Sequence, residues 1–137
     1  MTSNATETGM VTREIPPGEW KGFFDEFTRR HEGWLVTVEN FGDLGAQVEE
    51  QDRPLRGIVA ERRPGSSEIE ILTGDSPDET LTHVVGHPTR VRVEETPEGA
   101  EVALEIQSQD EGTTLVRFRA TALPETLDGV GPGPGKK

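Results

Sequence analysis

The chain has 137 residues, of which only 31% are hydrophobic, and a formal net charge of −12 from 26 acidic against 14 basic residues. That length suits one domain with a single thin core, and the summed negative field repels polyphosphate and anionic lipid, so nucleic acid and membrane are disfavoured as partners. The absence of cysteine excludes disulfides, thiolate metal sites and thiol catalysis.

No apolar run is long enough for a signal peptide or a membrane span, so the chain reads as a cytoplasmic protein. Residues 1–12 are polar and are expected to be a disordered extension. Residues 13–127 form the single domain, and residues 128–137, with Gly131-Pro132-Gly133-Pro134-Gly135, form a loose tail. The only lysines are Lys21, Lys136 and Lys137. Acid-rich, lysine-poor composition fits a salt-adapted surface, and equally a genome biased toward arginine codons.

In chain order, Ile15-Pro16-Pro17-Gly18-Glu19 leads into Trp20, Phe23, Phe24 and Phe27, whose spacing places four rings on one face of a helix. Pro17 and Glu19 suit its first turn. Arg29, Arg30 and His31 suit the negative end of the dipole, and Gly33 stops it. The rings are expected to cover a sheet rather than to cage a ligand.

Beyond Gly33 the period changes from 3.6 to 2. Apolar residues alternate with polar ones in eight segments: Trp34 to Val38, around Val48, Ile58 and Ala60, Ile69 and Ile71, Leu81 to Val85, Val91 and Val93, Val102 to Ile106, and Val116 with Phe118. Turn chemistry separates them at Gly42-Asp43, Asp52-Arg53-Pro54, Pro64-Gly65, Ser76-Pro77-Asp78, Gly86-His87-Pro88, Pro97-Glu98-Gly99 and Asp110-Glu111-Gly112. The fold predicted is α+β, one N-terminal helix packed on a curved antiparallel β-meander of six to eight short strands. A small SH3-like or Sm-like barrel with an added hairpin is the alternative.

The last two turns predict a register. A four-residue loop from Thr96 to Gly99 sets Val93 against Val102 and Val91 against Leu104, and a three-residue loop with left-handed Gly112 sets Ile106 against Val116 and Leu104 against Phe118. On the opposite face Glu105 then falls between Arg90 and Arg117. A solvated charge ladder accounts for these residues, and an anion patch of Arg90, Arg92, Arg117 and Arg119 is the functional alternative.

Catalytic and metal chemistry is poorly supplied. A metal would draw on His31, His83 and His87 with Asp75 or Asp78, but the histidines are scattered, and His87 falls in a turn while His83 falls in a strand. No serine sits in a Gly-x-Ser-x-Gly elbow, and Gly42-Asp43-Leu44-Gly45 precedes a strand, so it is no phosphate loop. Neither a metal nor any other cofactor is expected, and the chain leans away from enzymatic function.

Arg13-Glu14-Ile15-Pro16 with Trp20, His31-Glu32-Gly33-Trp34-Leu35-Val36-Thr37, Gly45-Ala46-Gln47-Val48-Glu49, Ala122-Leu123-Pro124-Glu125 and Asp128-Gly129 together resemble a family of small uncharacterised bacterial proteins, domain of unknown function 5335. The resemblance spans residues 13 to 130 and implies no activity, cofactor or catalytic residue.

The expected function is a non-catalytic protein-binding or self-assembly module, acting through a strand edge or the helix-end surface around His31 and Trp34. A small-ligand binder or enzyme with a pocket between helix and sheet, using His31, Glu32, Trp34 and His83, is the second reading. Nucleic-acid binding by Sm-like analogy is the third, and the charge opposes it.

Overall fold

The computed structural model describes residues 10–43, 45–63 and 66–119. Its one α-helix, α1 (Trp20–His31), follows β1 (Val11–Ile15) and a 3-10 turn over Pro17–Glu19. Seven strands come after it: β2 (Leu35–Gly42), β3 (Gly45–Arg63), β4 (Ser66–Thr73), β5 (Leu81–Gly86), β6 (Pro88–Glu95), β7 (Glu101–Ser108) and β8 (Gly112–Phe118). All pair antiparallel in one eight-stranded sheet of order β1-β6-β7-β8-β2-β3-β4-β5.

The α+β architecture and the aromatic helix face are as the periodicity predicts. Trp20, Phe24, Phe27 and His31 are buried, Phe23 packs beside them, and Gly33 ends the helix at φ +92°. The helix is also stitched to the sheet. The Thr28 hydroxyl accepts from the Ile58 amide at 2.9 Å and lies 3.3 Å from the Ile58 carbonyl, filling a place a neighbouring strand would take. Gly57 makes room for it, since a Cβ there would stand 3.3 Å from the Thr28 methyl.

Two meanders, β2-β3-β4-β5 and β6-β7-β8, share one core because β8 returns to pair with β2. A single residue, His87 at φ +50°, separates β5 from β6, although they stand far apart in the sheet order. The sheet therefore rolls as a small barrel would. Its lip is tied by Ser108 Oγ donating to Gly86 O (2.7 Å) and Gln109 N donating to His87 O (2.9 Å), while the ladder itself stays open.

Three details differ from the sequence expectation. Val11 and Thr12 belong to β1 rather than to a disordered extension; residues 1–9 of that extension and the tail lie outside the described residues. Asp52-Arg53-Pro54 does not end a strand, because irregular pairing near Val38 and Leu55 and a positive φ at Asp52 let β3 bend and continue.

Both predicted registers are displaced by two residues: Val93 faces Leu104, Val91 faces Ile106, Leu104 faces Val116 and Ile106 faces Thr114. A shift of two keeps every side chain on its predicted face, so Val91, Val93, Leu104, Ile106, Val116 and Phe118 are all buried as expected. The causes are local. The Thr96 carbonyl accepts from the Gly99 amide, but the Thr96 amide donates to Ala100 O (both 2.8 Å), so the loop closes one residue beyond a left-handed Gly99, and Val102 is an extra residue in β7. In the next turn the Ser108 hydroxyl accepts from the Asp110 and Glu111 amides and closes the loop one residue early.

Candidate binding cleft at the end of the helix

The extra residue at Val102 has a chemical result. Strict alternation assigns Glu101 to the solvent face with Ala103 and Glu105, but the bulge resets the pairing to Glu95 opposite Glu101 and turns Glu101 toward the core side. There it meets the last turn of α1. Arg30 Nη2 donates to both Glu101 oxygens at 2.8 Å, and the carboxylate side chain is only 7% exposed.

His31 completes the cluster. Its Nδ1 lies 2.9 Å from Phe27 O, which can only accept, so this nitrogen carries the proton. Nε2 then turns a lone pair toward Glu101 Oε1 at 3.4 Å. Burial pushes the imidazole below its ordinary range; the Phe27 carbonyl and Glu101 pull it up, and Arg30 pushes it down. The ring is wedged among Phe27 and Phe118 at 4.5 Å and Trp34 at 4.7 Å between centroids.

A concavity of about 620 Å³ opens over this cluster. Arg13 of β1, paired to Glu95 at 2.9 Å, forms one wall, the Gly99-Ala100 turn another, and Trp34 stands at the rim. The structure places His31 and Trp34, two of the predicted residues, in contact with each other. Sequence reasoning missed Glu101, because one carboxylate among 26 acidic residues carries no signal until the bulge is known.

The other candidate residues lie elsewhere. Glu32 caps α1 with its amide on Thr28 O (2.9 Å) and lines a separate depression with Arg29 and Arg56. His83 of β5 has Nε2 at 3.6 Å from Glu50, and His87 has Nδ1 at 2.6 Å from Asp110. Each histidine thus stands beside a different carboxylate, and among the described residues no group of three or more His, Asp or Glu could hold a metal ion.

The arginine ladder follows the displaced register. Glu105 pairs with Arg92 (3.1 Å) rather than standing between Arg90 and Arg117; Arg90 holds Glu14 of β1 (3.1 Å) and Arg117 holds Glu39 of β2 (2.8 Å). Three of the four guanidiniums are therefore already matched to carboxylates, and Arg119 is exposed at the end of the ladder, its amide on Leu35 O. The Arg90 bond holds the Glu14 carboxyl below its ordinary value.

A helix capping an open antiparallel sheet, with a polar cluster under one helix end, defines a small α+β domain. The chain belongs to the Family of unknown function (DUF5335), whose model matches residues 11–127. It is 28% identical over 118 residues to an uncharacterized protein of Aquifex aeolicus (strain VF5), covering 85% of this chain and all of the relative. No solved structure matches it. No helix among the described residues is long and apolar enough to cross a membrane.

Proposed function

We propose that the protein is a non-catalytic self-assembly module of the cytoplasm, pairing with a second copy of itself through β5. The observation that carries this reading is the contrast between β5 and ordinary sheet edges. β5 ends the sheet, so one side of it has no ladder partner among the described strands. Its sequence, Leu81-Thr82-His83-Val84-Val85-Gly86, contains no Asp, Glu, Lys, Arg or Pro. Leu81 and Val84 are 50% and 47% exposed.

Natural edges are protected by charge, proline or a covering element, and an edge without them is a template for another strand. The opposite edge is protected: β1 carries Arg13 and Glu14, and Pro16 follows it. A twofold axis on β5 lets two identical edges pair antiparallel, so each missing backbone partner is supplied by its own copy.

Sedimentation velocity at about 1 to 100 μM, a range that brackets micromolar affinity, tests this. The wild-type chain should sediment as a species heavier than the 15.0 kDa monomer. Val84→Lys should be monomeric with an unchanged circular dichroism spectrum. A monomeric wild type, or a Val84→Lys chain that still associates, would refute the assignment to β5.

A further inference from the structure

We propose that the groove between the start of α1 and the second half of β3 binds an extended, uncharged peptide segment of another protein, added as a strand along β3. The site shares no residue with the β5 edge and does not depend on self-association.

The two halves of β3 have different neighbours. The first half pairs with β2 as far as Pro54, whereas the second, from Gly57 to Arg63, has a strand on one side only, β4. On its other side Thr28 stands in for a strand at Ile58, where the hydroxyl meets both the amide and the carbonyl. In an antiparallel ladder successive residues turn their N–H and C=O groups to opposite sides. Pairing with β4 is regular from Gly57 to Arg63. Since Ile58 faces the helix, Ala60 and Arg62 face the same way, while Val59 and Glu61 bond to β4. No described residue bonds the outward amides and carbonyls of Ala60 and Arg62. Beyond Thr28 about 13 Å of strand edge therefore lies open.

A concavity of about 440 Å³ covers that edge, with Pro17, Trp20 and Lys21 on the helix side and Val59, Ala60 and Arg62 on the strand side. Its size falls in the usual range for binding sites, roughly 300 to 1,000 Å³. Trp20 belongs to the core and Ala60 packs against it, so the floor is apolar and fixed.

The occupant follows from these groups. Donors and acceptors repeated at every second residue are matched by another extended backbone. Charge selects against ionic side chains, because Lys21 and Arg62 are balanced in the lining by Glu61 and Glu68, and Lys21 already stands 3.3 Å from Asp25. Main-chain hydrogen bonds and small apolar side chains over Trp20 and Ala60 thus carry the affinity. The uncharged β5 of a second copy is a poorer occupant, since seating it here makes a head-to-tail contact that repeats without closing.

The test follows the full chain by 1H–15N NMR. In the free protein the Ala60 and Arg62 amides should exchange with solvent at least about tenfold faster than those of Val59 and Glu61. Acetyl-Val-Thr-Val-Thr-Val-amide should shift the resonances of residues 59–62 and of the Trp20 indole, and the same peptide N-methylated at every residue should not bind. Arg62→Pro removes an outward donor that the β4 ladder does not use. It should keep the folded spectrum and weaken the peptide at least about tenfold. Val84→Lys, on β5, should bind the peptide as the wild type does. Equal protection of the four amides, no shifts at millimolar peptide, binding of the methylated peptide, or undiminished affinity in Arg62→Pro would overturn the proposal. Loss of binding in Val84→Lys would place the peptide on β5 and overturn it as well.

Discussion

The two ends of α1 are buried in the same core by opposite means. At the N-terminal end Trp20 lies inward, and its indole N–H donates to the Ile15 carbonyl at 2.9 Å, leaving no charge inside. At the C-terminal end the chain buries His31 against Phe118 and the Glu101 carboxylate, which a half-exposed Arg30 pairs. An apolar plug depends on area and one neutral hydrogen bond. A polar plug also depends on protonation, because charging the buried imidazole costs desolvation that Phe27 O and Glu101 only partly offset. One helix thus has one end indifferent to acid and one end responsive to it.

Phe27 stands between the ends, touching Phe23 at 5.6 Å on one side and His31 at 4.5 Å on the other. Phe27→Ala should break both at once and cost about 3 to 5 kcal/mol in a urea melt, enough to unfold a domain of ordinary stability. A loss under about 1 kcal/mol, well below that expected for a buried ring, would mean that the helix is not the cover of the core.

Acid separates the ends. The His31 imidazole has a depressed proton affinity when folded and an ordinary value of 6.5 when unfolded. Above that ordinary value neither state is protonated and the stability is whole. As the pH falls below it toward the depressed folded value, the unfolded state takes up the proton first and stability is lost; below the folded value the loss is complete. Each tenfold reduction in proton affinity corresponds to about 1.4 kcal/mol. The thermal midpoint should therefore drop between pH 7 and pH 5 more steeply in the wild type than in His31→Gln. Trp20→Phe, at the other end, should lower the whole curve and leave its slope unchanged. Parallel curves for wild type and His31→Gln would show that the polar end does not titrate.

Salt produces the smallest effect and acts on the surroundings of both ends. An excess of acids repels itself, and counterions screen that repulsion within about 10 Å at 0.1 M. The midpoint should rise by about 2 °C between low and molar sodium chloride, equivalent to roughly 0.5 kcal/mol. A falling midpoint would mean that exposed pairs such as Arg90 with Glu14 and Arg117 with Glu39 outweigh the net charge, and would count against salt adaptation.

The two plugs were unequally legible in the sequence. The apolar one follows from the spacing of Trp20, Phe24 and Phe27, since period alone places those rings. Strand faces were legible for the same reason, because a period of 2 survives an error of two residues in register. Partners across strands were not: Gly99 inside its turn, Val102 as an extra residue and the Ser108 hydroxyl closing a loop each alter pairing without altering composition. Glu101 was hidden by the bulge that turns it inward. β1 was missed because Val11-Thr12-Arg13-Glu14-Ile15 has charges where an alternating strand would repeat an apolar residue, and its partner β6 lies some 80 positions away.

The route of the chain through the sheet also bears on how the protein is made. β1 pairs with β6 and β2 pairs with β8, so the first two strands await partners from the last part of the domain. A ribosome releasing the chain from its N-terminus presents α1 first, then β3, which receives it, and only last the strand β8 that closes over its C-terminal end. Contacts this distant in sequence form late and slowly. The emerging polypeptide can lay α1 against β3, but Phe27 and His31 lack Phe118 until β8 has cleared the exit tunnel, and the interval before that moment is when a chaperone would find most to hold.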